Sequence, residues 1–180
     1  MDFREKKLRQ INSYSGVIVD VTLDQVELCD ASRSFREVVH HPGGVTILPL
    51  DEEGFVYCVR QYRYPYGEVL LELPAGKLER GEDPFECAKR ELSEETGFTA
   101  DDWQSLGCIY TSPGYSSETL YLYLARSLHA GKAHLDEGEF LAVERIPFTE
   151  LLEQVMDGRI RDGKTVAAVL KTALLTDGKS

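Results

Sequence analysis

Apolar positions change period several times along this chain, and each change marks an element. Residues 1–10 are mostly charged and predict a frayed end or a short helix. Over residues 17–29 apolar and polar positions alternate, as in Val17-Ile18-Val19-Asp20-Val21-Thr22-Leu23, which predicts strands paired in a hairpin. Residues 33–40 read as a third strand, and Pro42-Gly43-Gly44 punctuates it. Residues 45–50 and 55–60 read as two strands joined by the turn Asp51-Glu52-Glu53-Gly54. A short strand over 69–73 is closed by Pro74-Ala75-Gly76.

The period then becomes helical. Phe85, Ala88 and Leu92 form an apolar stripe over 84–96, with Asp83 as N-cap, Pro84 at the first helical position and Gly97 as a left-handed stop. Strands follow over 103–111 and 120–125. An acidic loop, Asp136-Glu137-Gly138-Glu139, precedes a strand over 140–146. Two helices close the chain. One follows Pro147 with Thr149 as cap and stops at Gly158; the other starts near Asp162 and ends at Asp177-Gly178. Strands, a helix, strands again and terminal helices predict an α+β fold with a mixed sheet.

The helix over 84–96 carries an electrostatic anomaly. Arg90-Glu91-Leu92-Ser93-Glu94-Glu95 places four ionised side chains in six positions. Glu91 and Glu95 are i and i+4, so they share a face, and like charges at that spacing destabilise an isolated helix. On the helical wheel they fall beside the apolar stripe, at the edge of the core. Glu94 points further out, within reach of Arg90 at i−4. A hard divalent cation reverses the repulsion, because convergent carboxylates hold it. The segment reads as a metal site.

Composition narrows the function classes. The 180 residues, 42% hydrophobic and 28% charged, suit one globular domain with a sizeable core. A formal net charge of −11 disfavours nucleic acid and anionic membranes as partners, and no Lys/Arg run supplies a local basic patch. No apolar run approaches a membrane span, and the first ten residues hold no apolar signal region. Cys29, Cys58, Cys87 and Cys108 form no CxxC pair and have no zinc-ligand spacing to a His; three of them lie in apolar runs as small buried hydrophobes. A reducing cytoplasm is expected.

The run from Gly76 through Glu82, Arg90, Glu91, Leu92, Glu94, Glu95, Gly97 and Phe98 fills every fixed position of the Nudix signature, Gly-x5-Glu-x7-Arg-Glu-aliphatic-x-Glu-Glu-x-Gly-apolar. The chain thus resembles the Nudix hydrolases. That resemblance implies an α/β/α sandwich and hydrolysis of a nucleoside diphosphate linked to another group. It implies a Mg²⁺ cofactor, with Mn²⁺ as a substitute, on Glu91, Glu95, Glu94 and the backbone carbonyl of Ala75. It also implies that Arg90 orients the carboxylates, that Glu82 reaches back from the loop, and that Gly76 lets the loop turn under the helix. The chemistry agrees: breaking a pyrophosphate needs charge neutralisation and an activated water, and Mg²⁺ supplies both.

The flanks resemble the ADP-ribose pyrophosphatase branch. Pro113, in Ser112-Pro113-Gly114, lies sixteen residues after Gly97, and Arg60-Gln61-Tyr62-Arg63-Tyr64-Pro65 and Leu71-Glu72-Leu73-Pro74-Ala75-Gly76 match as well. By resemblance Arg63 and Glu118 contact the substrate, and Arg36 corresponds to an arginine offered across a dimer interface. In that branch the general base is a glutamate on a loop outside the motif, so the resemblance implies Glu137 in the acidic loop, with Glu139 in reserve. The expected assembly is a homodimer, with residues 1–42 as a strand region for dimerisation and 43–180 as the Nudix domain. The leading activity is hydrolysis of ADP-ribose to AMP and ribose 5-phosphate. The alternatives are hydrolysis of another nucleoside diphosphate sugar, such as a GDP- or UDP-sugar, and a non-catalytic ligand-binding regulator.

Other signals weigh less. Residues 158–165, Gly-Arg-Ile-Arg-Asp-Gly-Lys-Thr, satisfy the P-loop expression, but that motif needs a strand before it, and here a helix precedes. Asp162 serves better as a helix cap. Tyr62, Tyr64 and Tyr66 alternate, so one face can stack on a base, although such a row more often packs.

Overall fold

A computed structural model describes residues 2–135, 138 and 140–177. The chain divides into two compact units, residues 1–43 with 110–119, and residues 44–109 with 120–180.

The first unit is a three-stranded antiparallel sheet in the order β1-β2-β3, from β1 (Lys6–Ser15), β2 (Asp20–Glu27) and β3 (Arg33–His40). The expectation for residues 1–10 is corrected here: Lys6–Ser15 is a strand, exposed along its whole length. A strand with no buried face carries no apolar alternation, so periodicity could not find it. The hairpin expected within 17–29 is one strand, and its partner is β1. Val17 sits in the connecting turn, where the Gly16 amide donates to the Val19 carbonyl at 2.9 Å.

The second unit is the layered one. β4 (Gly44–Pro49) is buried at every position, because it is covered on both sides. Val45 and Ile47 pack with Cys87, Ala88 and Leu92 of α1 (Pro84–Thr96). Leu48 packs with Leu151, Val155, Ala168 and Val169 of α2 (Phe148–Met156) and α3 (Gly163–Asp177). β9 (Thr119–Ala130) runs parallel to β4 and splits its side chains the same way, with Tyr121 and Tyr123 toward α1 and Leu122 and Leu124 toward α2 and α3. Period-two alternation between two apolar layers is what makes this an α/β/α sandwich.

The central sheet is mixed, in the order β7-β4-β9-β8, completed by β7 (Ala75–Lys77) and β8 (Phe98–Tyr110). A second sheet, β10-β5-β6, comprises β5 (Phe55–Arg63), β6 (Glu68–Glu72) and β10 (Leu141–Pro147). The turn at 51–54 therefore carries the chain from one sheet to the other, with only a single bridge, Leu50 to Val56, between its arms.

Helix ends follow local chemistry. Asp83 caps α1 by accepting from the Phe85 amide at 2.9 Å and the Glu86 amide at 3.3 Å. Gly97 closes it with φ of 76°. The cap expected from Thr149 is not made: α2 begins at Phe148, Pro147 is its N-cap residue, and no side chain caps it. Cys58 and Cys87 are buried, and burial pushes both thiols up to about 12. Cys29 and Cys108 are exposed, so two cysteines and not three pack as hydrophobes. Among the described residues no helix is long and apolar enough to cross a membrane.

Candidate active site

The signature residues converge because β7 runs directly beneath α1. Gly76 pairs with Val45 in the sheet, and a Cβ on Gly76 would stand 1.8 Å from the Glu91 carboxyl carbon. Any side chain here would push the Glu91 carboxylate out of its position. The sharp turn expected at Gly76 is corrected: it is a strand residue, and it is not among the glycines with positive φ.

Arg90 is the hub of the cluster. Its Nε and Nη2 donate to Glu82 at 2.9 and 3.1 Å. Its Nη1 donates to Glu91 at 2.7 Å and to Glu94 at 2.8 Å. One guanidinium thus restrains three carboxylates, which its rigid planar fork suits. Its hydrogen bonds hold the Glu82 carboxyl down at about 2, and the same contacts raise the pKa of Arg90 above its ordinary value. Both groups are charged throughout the physiological range.

The three helical glutamates differ in burial. Glu95 is 4% exposed and accepts from the Ala75 amide at 3.0 Å, whereas the side chains of Glu91 and Glu94 are 13% and 32% exposed. The Glu95 contact ties the helix to the residue whose carbonyl is the fourth candidate ligand. Oxygen donors alone, partly exposed and of graded depth, fit a hard cation that retains several waters. Among the described residues no three acidic, His or Cys side chains already stand in ligand positions, since Glu91 and Glu94 are both turned onto Arg90.

Gly97 has a second reason beyond its φ. A Cβ there would meet the Ala133 amide at 2.7 Å, because the segment after β9 crosses the helix end. The Gly131 amide donates to the Gly97 carbonyl at 2.7 Å, and the His134 amide to the Glu94 carbonyl at 2.9 Å. Glu137 and Glu139 lie outside the described residues.

Arg63, at the end of β5, grips Glu72 with Nε at 2.7 Å and Nη2 at 2.6 Å. Glu72 is 1% exposed. Burial pushes its carboxyl up, but the hydrogen bond from Arg63 and the charge of Lys164 outweigh that and hold it below the usual range. Sequence reasoning singled out Arg63 and missed its anchor. The available signal was an acid set between Leu71 and Leu73 in a short apolar strand.

The remaining expected residues belong to the first unit. Arg36 is paired with Glu5, its Nε donating at 2.9 Å. Glu118 accepts from the Thr111 hydroxyl at 2.7 Å and stands 3.4 Å from His41 Nδ1. Pro113 is exposed in a turn in which the Ser112 carbonyl accepts from the amides of Tyr115 and Ser116.

The chain is similar to several known proteins. The NUDIX domain family matches residues 40–169. A methanol dehydrogenase activator of Bacillus methanolicus is 41% identical over 169 residues, covering 93% of this chain and 91% of its own length. An ADP-ribose pyrophosphatase of Bacillus subtilis is 39% identical over 176 residues, covering 94% and 95%. A GDP-mannose pyrophosphatase of Yersinia enterocolitica is 37% identical over 145 residues, covering 74% and 75%. A solved ADP compounds hydrolase shares the fold, with a TM-score of 0.87 over 100% of this chain and 98% of that one at 22% identity. The domain match covers the strand, the glycine and the carboxylate helix described above, and the chain belongs to the Nudix hydrolase family.

Proposed function

We propose that this Nudix hydrolase cleaves the pyrophosphate bond of ADP-ribose, giving AMP and ribose 5-phosphate. The observation that carries the reading is the placement of three helical glutamates beside β7: Glu91 lies over Gly76, Glu91 and Glu94 are restrained by Arg90, and Glu95 is tied to the Ala75 backbone, whose carbonyl is the fourth candidate donor. Mg²⁺, with Mn²⁺ as a substitute, would be held by those four donors and would supply charge neutralisation on the diphosphate and a water of lowered pKa.

The chain's own groups do the rest. Arg63 presents a guanidinium fixed on one edge by Glu72, suited to clamping an oxygen of the diphosphate. Arg90 keeps the carboxylates in place as charge develops on the leaving phosphate. Glu137, with Glu139 in reserve, takes the proton from the attacking water; the His134 tether to the Glu94 carbonyl supports this, since it starts that loop at the end of the carboxylate helix. Glu118 and Pro113 contribute to the substrate side. The ADP-ribose pyrophosphatase relative, matched over 94% of the chain, favours ADP-ribose. The GDP-mannose pyrophosphatase favours a second reading, a nucleoside diphosphate sugar hydrolase with the same metal site and another sugar subsite.

We further infer a cytoplasmic homodimer. Four free cysteines suit a reducing compartment. A β1 exposed throughout, carrying Ile11 and Tyr14, suits a second copy that covers it, with Arg36 on β3 of the same sheet offered across the interface.

The test is a Mg²⁺-dependent hydrolysis panel of ADP-ribose, GDP-mannose, UDP-glucose, NADH and an oxidised nucleoside triphosphate. ADP-ribose is expected to rank first in kcat/KM, and Glu137→Gln to lower its kcat. ADP-ribose ranking last rejects the substrate; unchanged kcat in both Glu137→Gln and Glu139→Gln rejects the loop as the source of the base.

A further inference from the structure

The residues that imitate a P-loop have a different use. Within that run Asp162 caps α3, accepting at Oδ2 from the Thr165 amide at 3.0 Å and the Thr165 hydroxyl at 2.6 Å. The site a phosphate would need at this helix end is thus filled by the chain's own carboxylate. Lys164 bridges that capping carboxylate and Glu72, with Nζ 2.9 Å from Asp162 Oδ1 and 2.5 Å from Glu72 Oε2. Lys164 is 12% exposed, so it is a packed cation and not a surface one.

Glu72 Oε2 therefore receives both Lys164 Nζ and Arg63 Nη2, while Oε1 receives Arg63 Nε. Two cations from two different elements leave that carboxylate no freedom to rotate. The frame behind it is equally fixed. The Leu73 amide donates to the Thr165 hydroxyl at 2.9 Å, the Pro74 carbonyl accepts from the Ile47 amide at 2.9 Å, and the Ala75 amide donates to Glu95 at 3.0 Å. Four consecutive residues, Glu72 to Ala75, thus run from the α3 end to the carboxylate helix with an anchor at each. A second ion pair, Arg161 to Glu68 at 2.6 Å, binds the start of β6 to the same helix end.

Arg63, in contrast, is 37% exposed. An arginine that long and that exposed loses several rotamers on binding an anion unless it is held beforehand. We propose that Lys164 is a positioning residue: it locks Glu72, and through Glu72 sets the guanidinium plane of Arg63 for the substrate diphosphate. The inference rests on the placement of Arg63 at the substrate given above. Lys164 itself touches no substrate, and its effect passes entirely through Arg63.

That routing makes it testable by a double-mutant cycle on the full chain with Arg63→Ala and Lys164→Met, read as KM and kcat with Mg²⁺. Lys164→Met is expected to raise KM about tenfold with kcat within about twofold and the Mg²⁺ activation midpoint unchanged. In the Arg63→Ala background the same substitution is expected to leave KM unchanged. Lys164→Arg, which keeps the charge, is expected to recover most of the wild-type KM. If the Met variant fails to fold, Lys164→Gln enters the same cycle. An equal rise in KM with and without Arg63, or an unchanged KM in the single variant, overturns the proposal. If the wild type turns over another nucleoside diphosphate sugar and not ADP-ribose, the substrate reading fails, while the cycle on that sugar still decides the role of Lys164.

Discussion

Two segments of this chain satisfy a nucleotide-related expression in their residues, and only one of them makes the corresponding site. The run from Gly76 to Phe98 passes from a strand into a capped helix, and the Glu91 carboxylate comes to rest directly over Gly76. The run from Gly158 to Thr165 follows a helix, and the helix it opens is capped by its own Asp162, with its lysine committed to Glu72. A motif works when the elements around it point its groups at a common point. The second run has the composition of a phosphate cradle and the geometry of a clamp.

The comparison breaks most sharply at the carboxylates. Glu95→Gln is expected to lower kcat by about a hundredfold or more. Gly76→Ala is expected to do nearly the same by displacing the Glu91 carboxylate. Both variants should fold, because the group that must yield at Gly76 is the far end of a flexible side chain. Kinetics together with thermal melts checks this; near wild-type kcat in Glu95→Gln would sink the metal assignment.

A smaller effect tests the Arg90 hub through pH. The Glu82 carboxyl, at about 2 in the fold, lies below its ordinary value near 4.5. The stability it contributes is present above its unfolded pKa and is lost as pH falls from there toward about 2. Arg90→Met is expected to flatten that part of the acid-unfolding profile, so wild type and variant should differ more at pH 7 than at pH 3. Denaturant melts at the two values measure it, and an equal gap at both would contradict the pairing.

The smallest effect belongs to the second segment. Gly158 has φ of 79° with open space around it. Gly158→Ala is expected to cost about 1 kcal/mol from the left-handed backbone alone. The melting temperature should fall by a few degrees with kcat unchanged; a loss of turnover would return a catalytic role to this loop.

What could be read from residues alone tracks how local the cause is. The bounds of α1, its Asp83 cap and its Gly97 stop follow from side chains within a few positions of one another, and the structure reproduces them. Thr149 looked like an equally good cap, yet the chain enters α2 directly from Pro147 and the hydroxyl is not used. β7 is only three residues long, too short for a period, and exists because β4 lies beside it. β1 has no apolar face to announce it. The split of β4 between two apolar layers is invisible in a continuous apolar run, since such a run states that both faces are covered but not by what.

By itself, then, the sequence determined the family, the carboxylate helix and the chemistry it serves, because those depend on spacing within one element. Tertiary structure alone decided that a side chain at Gly76 would displace the Glu91 carboxylate, how Arg90 gathers three carboxylates, and that Glu72 and Lys164 stand behind Arg63. Each of these is an encounter between elements far apart in the chain: β7 under α1, and β6 against the first turn of α3. Spacing along a chain sets what one helix or strand presents, whereas the packing of layers sets what meets it.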